Sequence, residues 1–404
     1  MRVLTFTTLY PNTVQPNLGL FVEHRIKHLC ADRGVSVRVV APVPWFPLRH
    51  PALGRYATLA RVPRRELRDG IEVLHPRFPR IPKIGMTVAP LLLARAMLKL
   101  FRRLADDGDG FDLIDAHFLY PDGVAAVMLG KWLCKPVVLT ARGSDVHSYR
   151  SYRIPWALTL WATRRADAVV TVSDALAKPL RAAGVPDKRL TTLRNGVDLR
   201  LFQPVDRTAT RARIGFRRPT LLSVGNLIEL KGHDLVIRAL ETLADFDLVV
   251  IGSGPLERPL QRLAARLGVN ERVRFLSPMP QEQLREYYGA ADALVLASSR
   301  EGWPNVLLEA MACGTPVVAT ETWGIPEIVT APEAGVLIGE RSVAGLVDAC
   351  RRLFANYPER NSTRRYAERF GWEATSEGQW ALFNRVLAKA RVRPAGSTKL
   401  SKAG

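Results

Sequence analysis

The pattern that most restricts this chain is an alternation, run through twice, of short apolar β-type segments with helical stretches. In the first half, residues 3–8, 36–41, 71–75, 112–117, 136–140 and 168–173 read as strands, with helical patterns between them, notably at 21–33 and 87–104. Gly34 follows the first of these helices at the position where a left-handed residue ends one. The second half repeats the scheme, with strands at 220–224, 248–251, 273–276, 293–297, 316–319 and 335–338. Its helices are expected near 233–243, 256–267, 281–290, 306–312 and 343–354. Such alternation builds a doubly wound parallel sheet covered on both faces by helices. At 404 residues the chain is too long for one such core. The expected α/β architecture is therefore two Rossmann-like domains facing across a cleft that closes over a ligand. They comprise residues 1–195 and 196–370, and residues 371–404 supply a helix returning to the first domain and a frayed tail. Residues 195–218, polar, basic and weakly periodic, read as the linker.

Ligands of open α/β sheets bind outside the carboxyl ends of the strands, so chemistry is expected on the loops that follow them. Glu301-Gly-Trp-Pro-Asn-Val-Leu-Leu-Glu309 follows the apolar run 293–297. Pro304 suits the first turn of a helix, where its missing N–H costs nothing. Glu301 then sits on the loop and Glu309 one turn into the helix. A carboxylate there can accept two sugar hydroxyls, or simply favour the positive end of the helix dipole. Gly225 and Asn226 follow another strand, and Lys231 stands where the next helix begins. A lysine beside helix N-terminal amides makes an anion site suited to a diphosphate; locally, a surface lysine reads equally well. Gly252-Ser-Gly254 is a glycine turn lacking the third glycine of a dinucleotide fingerprint. It lines a nucleotide by backbone, or is only a strand-to-helix turn. Gly19 opens the helix near Phe21. His117 ends a strand and is either a sugar ligand or a structural histidine. Arg142 and Asp145 follow the next strand and are candidates for acceptor binding, whereas Ser173 suits a helix cap.

The formal net charge is +20, and it is uneven. Residues 1–190 hold 29 Lys and Arg against 15 Asp and Glu, whereas residues 191–404 hold 29 against 23. Nucleic acid, anionic lipid or a phosphorylated substrate would suit such a surface. No RNP, zinc-finger or helix-turn-helix signature is present, so nucleic acid is not expected. Arg95, Lys99 and Arg102 share a face of the 87–104 helix. Upstream, Arg61, Arg64, Arg65, Arg68, Arg77, Arg80 and Lys83 are interleaved with Trp45, Phe46, Tyr56 and Phe78. This suits an anionic membrane surface, or an ordinary amphipathic helix packed on its sheet. Four scattered cysteines argue against a disulfide framework or zinc site. Asp107-Gly-Asp109 reads as solvated loop, and catalysis without a metal or other cofactor is expected. Residues 1–6 run straight into a strand without a signal-peptide pattern, and no apolar run reaches the length of a membrane span. A cytoplasmic protein, peripheral at the inner face of the membrane, is the expectation.

Residues 290–320, Ala-Ala-Asp292-Ala-Leu-Val-Leu-Ala-Ser298-Ser-Arg-Glu301 through Glu309-Ala-Met-Ala-Cys-Gly314-Thr-Pro316, resemble the Glu-x7-Glu signature of the family 4 glycosyltransferases, the large retaining group with GT-B architecture. Gly324-Ile-Pro-Glu-Ile-Val329, Asn195-Gly-Val-Asp198, Lys231-Gly232 and the start at 17–22 are similar to the family as well. Tyr10-Pro-Asn with Gly19-Leu-Phe-Val looks most like the subgroup making bacterial surface polysaccharides, teichuronic-acid-type enzymes included. The resemblance implies that Glu301 contacts the transferred sugar, Glu309 the ribose hydroxyls and Lys231 the diphosphate. Asn305 and Val306 would offer backbone amides to the phosphates, Gly19 would do so from the other domain, and His117 would sit by the donor sugar. Asn226 departs from the arginine often found before Leu227, so Lys231 works alone or with Arg142 or Arg194. The implied partners are a UDP- or GDP-sugar donor and a lipid-linked or glycan acceptor. A small soluble acceptor, a sugar-nucleotide epimerase and a non-catalytic nucleotide-sugar module are the alternatives.

Overall fold

The computed structural model describes residues 1–45, 55–79, 85–108 and 110–392. The chain forms two compact units, one of Met1–Arg194 with the chain from Glu373 onward, the other of Asn195–Trp372.

In the first unit the strands are β1 (Arg2–Phe6), β2 (Ser36–Val40), β3 (Val43–Trp45), β4 (Arg65–Arg68), β5 (Ile71–Leu74), β6 (Arg77–Pro79), β7 (Leu113–His117), β8 (Val137–Ala141), β9 (Ala168–Thr171) and β10 (Leu190–Thr192). Eight of them form one sheet in the order β10-β9-β8-β7-β1-β2-β5-β4, and β3 pairs with β6 separately. β4 runs antiparallel to β5, and the remaining neighbours in the large sheet are parallel. From β1 the chain builds outward to one side, then returns to add β7 on the other, in register Val3 to Leu113 and Phe6 to Ala116. The carboxyl ends of β1 and β7 thus flank the switch point. The helix Glu373–Val392 packs beside the helix Leu20–Arg33 and buries Leu382, Phe383 and Val386 among Val3, Leu29, Leu113, Val138 and Val170. It is part of this core.

The second unit has β11 (Thr220–Val224), β12 (Asp247–Ile251), β13 (Val273–Leu276), β14 (Ala293–Leu296), β15 (Val317–Thr320) and β16 (Gly335–Ile338), all parallel, in the order β13-β12-β11-β14-β15-β16. Its core joins Leu221, Leu248, Val250, Ala293, Val295 and Val318 to the helical residues Val236, Leu240, Leu260, Leu346 and Leu353. The reversal of strand order falls between β11 and β14.

Two expectations change here. Residues 195–218 are not a bare linker: they carry the helix Arg207–Ile214 and belong to the second unit. Asp206 caps it by accepting from Ala209 N at 3.0 Å, and Gly215 ends it at φ 75°. It buries only Thr210, so hydrophobic periodicity could not reveal it. Arg211 holds it instead, donating to Asp292 at 2.9 Å and to Ala290 O at 2.8 Å. Second, the helix Gly85–Asp106 turns Leu93, Met97, Phe101 and Leu104 into the core, and Phe78 is buried too. These residues cannot face a membrane. Phe46, Arg80, Lys83, Asp109 and the side chain of Tyr56 lie outside the described residues.

Phe383 is fully buried in the first unit's core. Phe383→Ala is expected to cost about 3–5 kcal/mol of unfolding free energy by urea denaturation; a loss below about 1 kcal/mol would show that the terminal helix contributes little to that core.

Candidate functional site

At the switch point of the second unit, three loops are held together largely by backbone. Gly252 and Gly254, after β12, press on the turn after β11. A Cβ on Gly252 would lie 1.9 Å from Gly225 O, and one on Gly254 2.4 Å from Leu227 O. Leu227 N donates to Ser253 O at 2.9 Å, and Leu256 N to Leu227 O at 3.1 Å. The glycine turn is therefore explained by close approach of two backbones. After a short turn at Glu229–Lys231, Gly232 adopts φ 67° and the helix His233–Ala239 begins. A Cβ on Gly232 would fall 2.3 Å from Ala297 O. Ser299 N donates to Leu230 O at 2.8 Å. The loop carrying Lys231 is thereby fastened to the loop after β14, which carries Glu301.

Lys231 and Glu301 meet. The ammonium lies 2.5 Å from Glu301 Oε1, and Ser298 Oγ donates to the same oxygen at 2.7 Å. Both charged side chains are mostly buried, at 19% and 12% exposure. Lys231's stem runs along Gly225, where a Cβ would lie 3.5 Å from Cε. Asn226 is exposed; its carbonyl accepts from His233 Nε2 at 3.3 Å. His233 Nδ1 in turn takes the Ser223 hydroxyl at 2.8 Å. Burial holds this imidazole down to about 4, so it is neutral at pH 7 and staples the end of β11 to the helix start.

Glu309 lies within the helix Asn305–Ala312. Its Oε2 accepts from Tyr288 OH at 2.9 Å, and burial raises its carboxyl to about 7. It does not touch Glu301 through any hydrogen bond among those described. The Asn305 and Val306 amides head this helix, where no intrahelical acceptor exists. Asn305 Oδ1 accepts from Asn195 Nδ2 at 3.3 Å, and Trp303 Nε1 donates to Asn195 O at 3.0 Å. Sequence reasoning missed His233, Tyr288 and Ser298 as supports. A histidine and a serine abutting Lys231 and Glu301 were the available signals; Tyr288 offered none.

In the first unit, Gly19 adopts φ 70° ahead of the helix Leu20–Arg33, and a Cβ would sit 2.4 Å from Leu9 O. His117 is fully buried at the end of β7. Arg142 Nη2 donates to its Nδ1 at 2.6 Å, so Nε2 carries the proton and donates to Asp115 Oδ2 at 3.1 Å. Burial foremost keeps the ring neutral, down to about 4. With both nitrogens engaged, His117 orients Arg142 rather than presenting a free nitrogen. Arg142 also lies over the Phe21 ring, 5.2 Å from its centroid. The Asp145 carboxylate accepts from Leu119 N at 2.8 Å, Gly143 N at 2.7 Å and Arg142 N at 3.0 Å. It is a buried clamp on the loop, which leaves it little capacity to grip an acceptor. Ser173 heads the helix Asp174–Ala182, yet its hydroxyl makes no cap bond. Among the described residues no group of three or more His, Cys, Asp or Glu is arranged to hold a metal.

Residues 21–201 match the family model described as Glycosyltransferase Family 4, and residues 206–370 that described as Glycosyl transferases group 1. D-inositol 3-phosphate glycosyltransferase 1 of Catenulispora acidiphila is 35% identical over 97% of this chain and 98% of its own. The putative teichuronic acid biosynthesis glycosyltransferase TuaC of Bacillus subtilis is 29% identical over 87% of this chain and 89% of its own. Sucrose-phosphate synthase from Thermosynechococcus elongatus superimposes with a TM-score of 0.78 at 20% identity, over 96% of this chain and 100% of that one. Anabaena Alr3699/HepE in complex with UDP gives 0.72 at 18% identity, over 95% and 100%. The structural likenesses establish the GT-B fold of two Rossmann-like domains. By its sequence relatives, this chain belongs to the family 4 glycosyltransferases and is a hexosyltransferase.

Proposed function

We propose that the protein is a retaining enzyme that moves a hexosyl or N-acetylhexosaminyl group from a UDP- or GDP-sugar to a lipid-linked or glycan acceptor, in cell-envelope or extracellular polysaccharide synthesis. The observation that carries this reading is the placement of Lys231, Glu301 and Glu309 on the elements flanking the second unit's switch point. HepE has been solved with UDP and with UDP-glucose, and TuaC is named for teichuronic acid synthesis; both support it. As the sugar C1–O bond breaks, its electron pair goes to the departing diphosphate. Lys231 and the Asn305 and Val306 amides stabilise that charge, an effect worth a few kcal/mol per preorganised donor. Glu301 stabilises the oxocarbenium-like sugar. The acceptor oxygen forms the new bond on the same face, and its proton passes to the departing phosphate oxygen. This chemistry needs no metal, because lysine and helix amides supply the positive charge.

The lipid-linked acceptor has separate support. Met86, Val88 and Leu91, at the start of the helix Gly85–Asp106, are exposed, as are Tyr152 and Ile154 at the start of the helix Arg153–Arg165. Tyr120 joins them: its hydroxyl donates to Met86 O and its ring meets Tyr149 at 4.9 Å. Arg95 on the first of these helices and Arg150 and Arg153 beside Tyr152 are exposed as well. Exposed apolar side chains interspersed with arginines suit an anionic bilayer, each basic residue contributing about 1 kcal/mol. The proposal places the protein at the inner face of the cell membrane; no helix among the described residues is long and apolar enough to cross one.

Lys231→Ala is expected to lower kcat/KM at least about tenfold, since a charged hydrogen bond is worth ~1.5–3 kcal/mol, and wild-type turnover should persist in EDTA. Unchanged kinetics in the folded variant would refute the diphosphate role. Glu309→Ala should mainly weaken UDP or GDP binding and Glu301→Ala mainly slow turnover; the reverse split would exchange the two roles. Glu309 must be ionised to accept ribose hydroxyls, and its carboxyl sits at about 7. Nucleotide affinity should therefore fall by about 25-fold from pH 7.5 to 5.5, and less steeply in Glu309→Gln. Equal slopes by calorimetry would contradict the ribose assignment. Vesicles containing phosphatidylglycerol should sediment the wild type at physiological salt but not Ile154→Asp; absence of binding would favour a small soluble acceptor.

A further inference from the structure

We propose that Glu301 competes with the donor's diphosphate for Lys231, and that Ser298 is the positioning residue that keeps Glu301 in place when Lys231 changes partner. This rests on the diphosphate reading of Lys231. In the structure, the Lys231 ammonium spends its charge on Glu301 Oε1 at 2.5 Å. A diphosphate arriving at that ammonium is a second, more highly charged anion for one cation in a mostly buried site. The two anions repel, and the diphosphate takes the lysine. Only the ammonium end has freedom to shift. The stem lies along Gly225, Gly232 is pressed against Ala297 O, and Leu230 O is tied to Ser299 N.

Glu301 then loses its cation but not its anchor. Ser298 Oγ donates to the same Oε1 at 2.7 Å. Ser298 is fully buried just beyond β14, and its carbonyl accepts from Thr320 Oγ1 at 2.6 Å, so the hydroxyl has a fixed origin. A carboxylate relieved of its ammonium yet still held is the group that can stabilise positive charge on a sugar. The arrangement makes Glu301 available only once the leaving group is seated.

Calorimetric titration of UDP and of GDP into the full chain tests this, with thermal melts confirming that each variant folds. Glu301→Gln should bind the preferred nucleoside diphosphate at least about fivefold tighter, the order of a coupling free energy between adjacent sites, while kcat falls. In a Lys231→Met background the same change should tighten binding less, because no lysine remains to be released. Ser298→Ala should lower kcat about tenfold while changing nucleotide Kd less than about twofold. Unchanged or weaker binding by Glu301→Gln, equal gains in both backgrounds, or an unaltered kcat in Ser298→Ala would each overturn the proposal. Absence of UDP and GDP binding by the wild type, or undiminished binding by Lys231→Met, would overturn the diphosphate reading itself, and this inference with it.

Discussion

A parallel sheet whose strands are added first to one side and then to the other must part its connections at one place. In the second unit that place is between β11 and β14, and the charged residues of the site stand there because no covering helix can. β11 delivers Gly225 and, one turn later, Lys231; β14 delivers Ser298 and Glu301. Neither loop would be well placed alone. They are fixed by contacts that admit no side chain: Gly252 on Gly225, Gly254 on Leu227 and Gly232 on Ala297. Rigid backbone is what an electrostatic site needs, since its donors must already be aimed when charge develops.

The strands β1, β2, β5, β7, β8 and β9 and the six of the second unit were legible because they carry apolar runs of the length a buried strand requires. What the residue pattern concealed is instructive. β3, β4, β6 and β10 are only three or four residues long, too short to show a period, and the helix Arg207–Ile214 rests on its arginines' bonds to Asp292 and Ala290 instead of an apolar face. The positions of the candidate charges were legible, since Lys231 and Glu301 lie on loops after strands and Glu309 lies within the following helix. Their pairing was not. Tyr288 reaches Glu309 from the preceding helix, and Lys231 meets Glu301 across 70 residues. Such contacts come from the sheet, which brings distant loops to one edge, and no local spacing encodes them.

The first unit makes the same point through burial. Arg25, Gln379, Asp115, His117 and Arg142 form one chain of contacts: Arg25 Nε donates to Gln379 Oε1 at 2.6 Å, and Gln379 Nε2 to Asp115 Oδ2 at 3.2 Å. Asp115 then fixes the proton on His117 Nε2, which leaves Nδ1 to receive Arg142. Two arginines and one aspartate buried together would be costly without these bonds. The terminal helix supplies the amide that links them, 264 residues from Asp115. Its apolar residues and its glutamine therefore do different things: Phe383 closes the core, and Gln379 lets a charged group sit at the carboxyl end of β7.

That division explains why His117 looks like a sugar ligand in the sequence and behaves as a support in the structure. A histidine at the end of a parallel strand is at the correct edge for a ligand, but edge position says nothing about which way the ring turns. Asp115, two residues earlier on the same face of β7, draws the ring inward, and Arg142 closes over it. The guanidinium is itself buried, braced by Phe21 at the start of the helix Leu20–Arg33. A neutral imidazole with its tautomer set by a carboxylate is a good acceptor for arginine and a poor general base, because burial has already lowered its affinity for a proton.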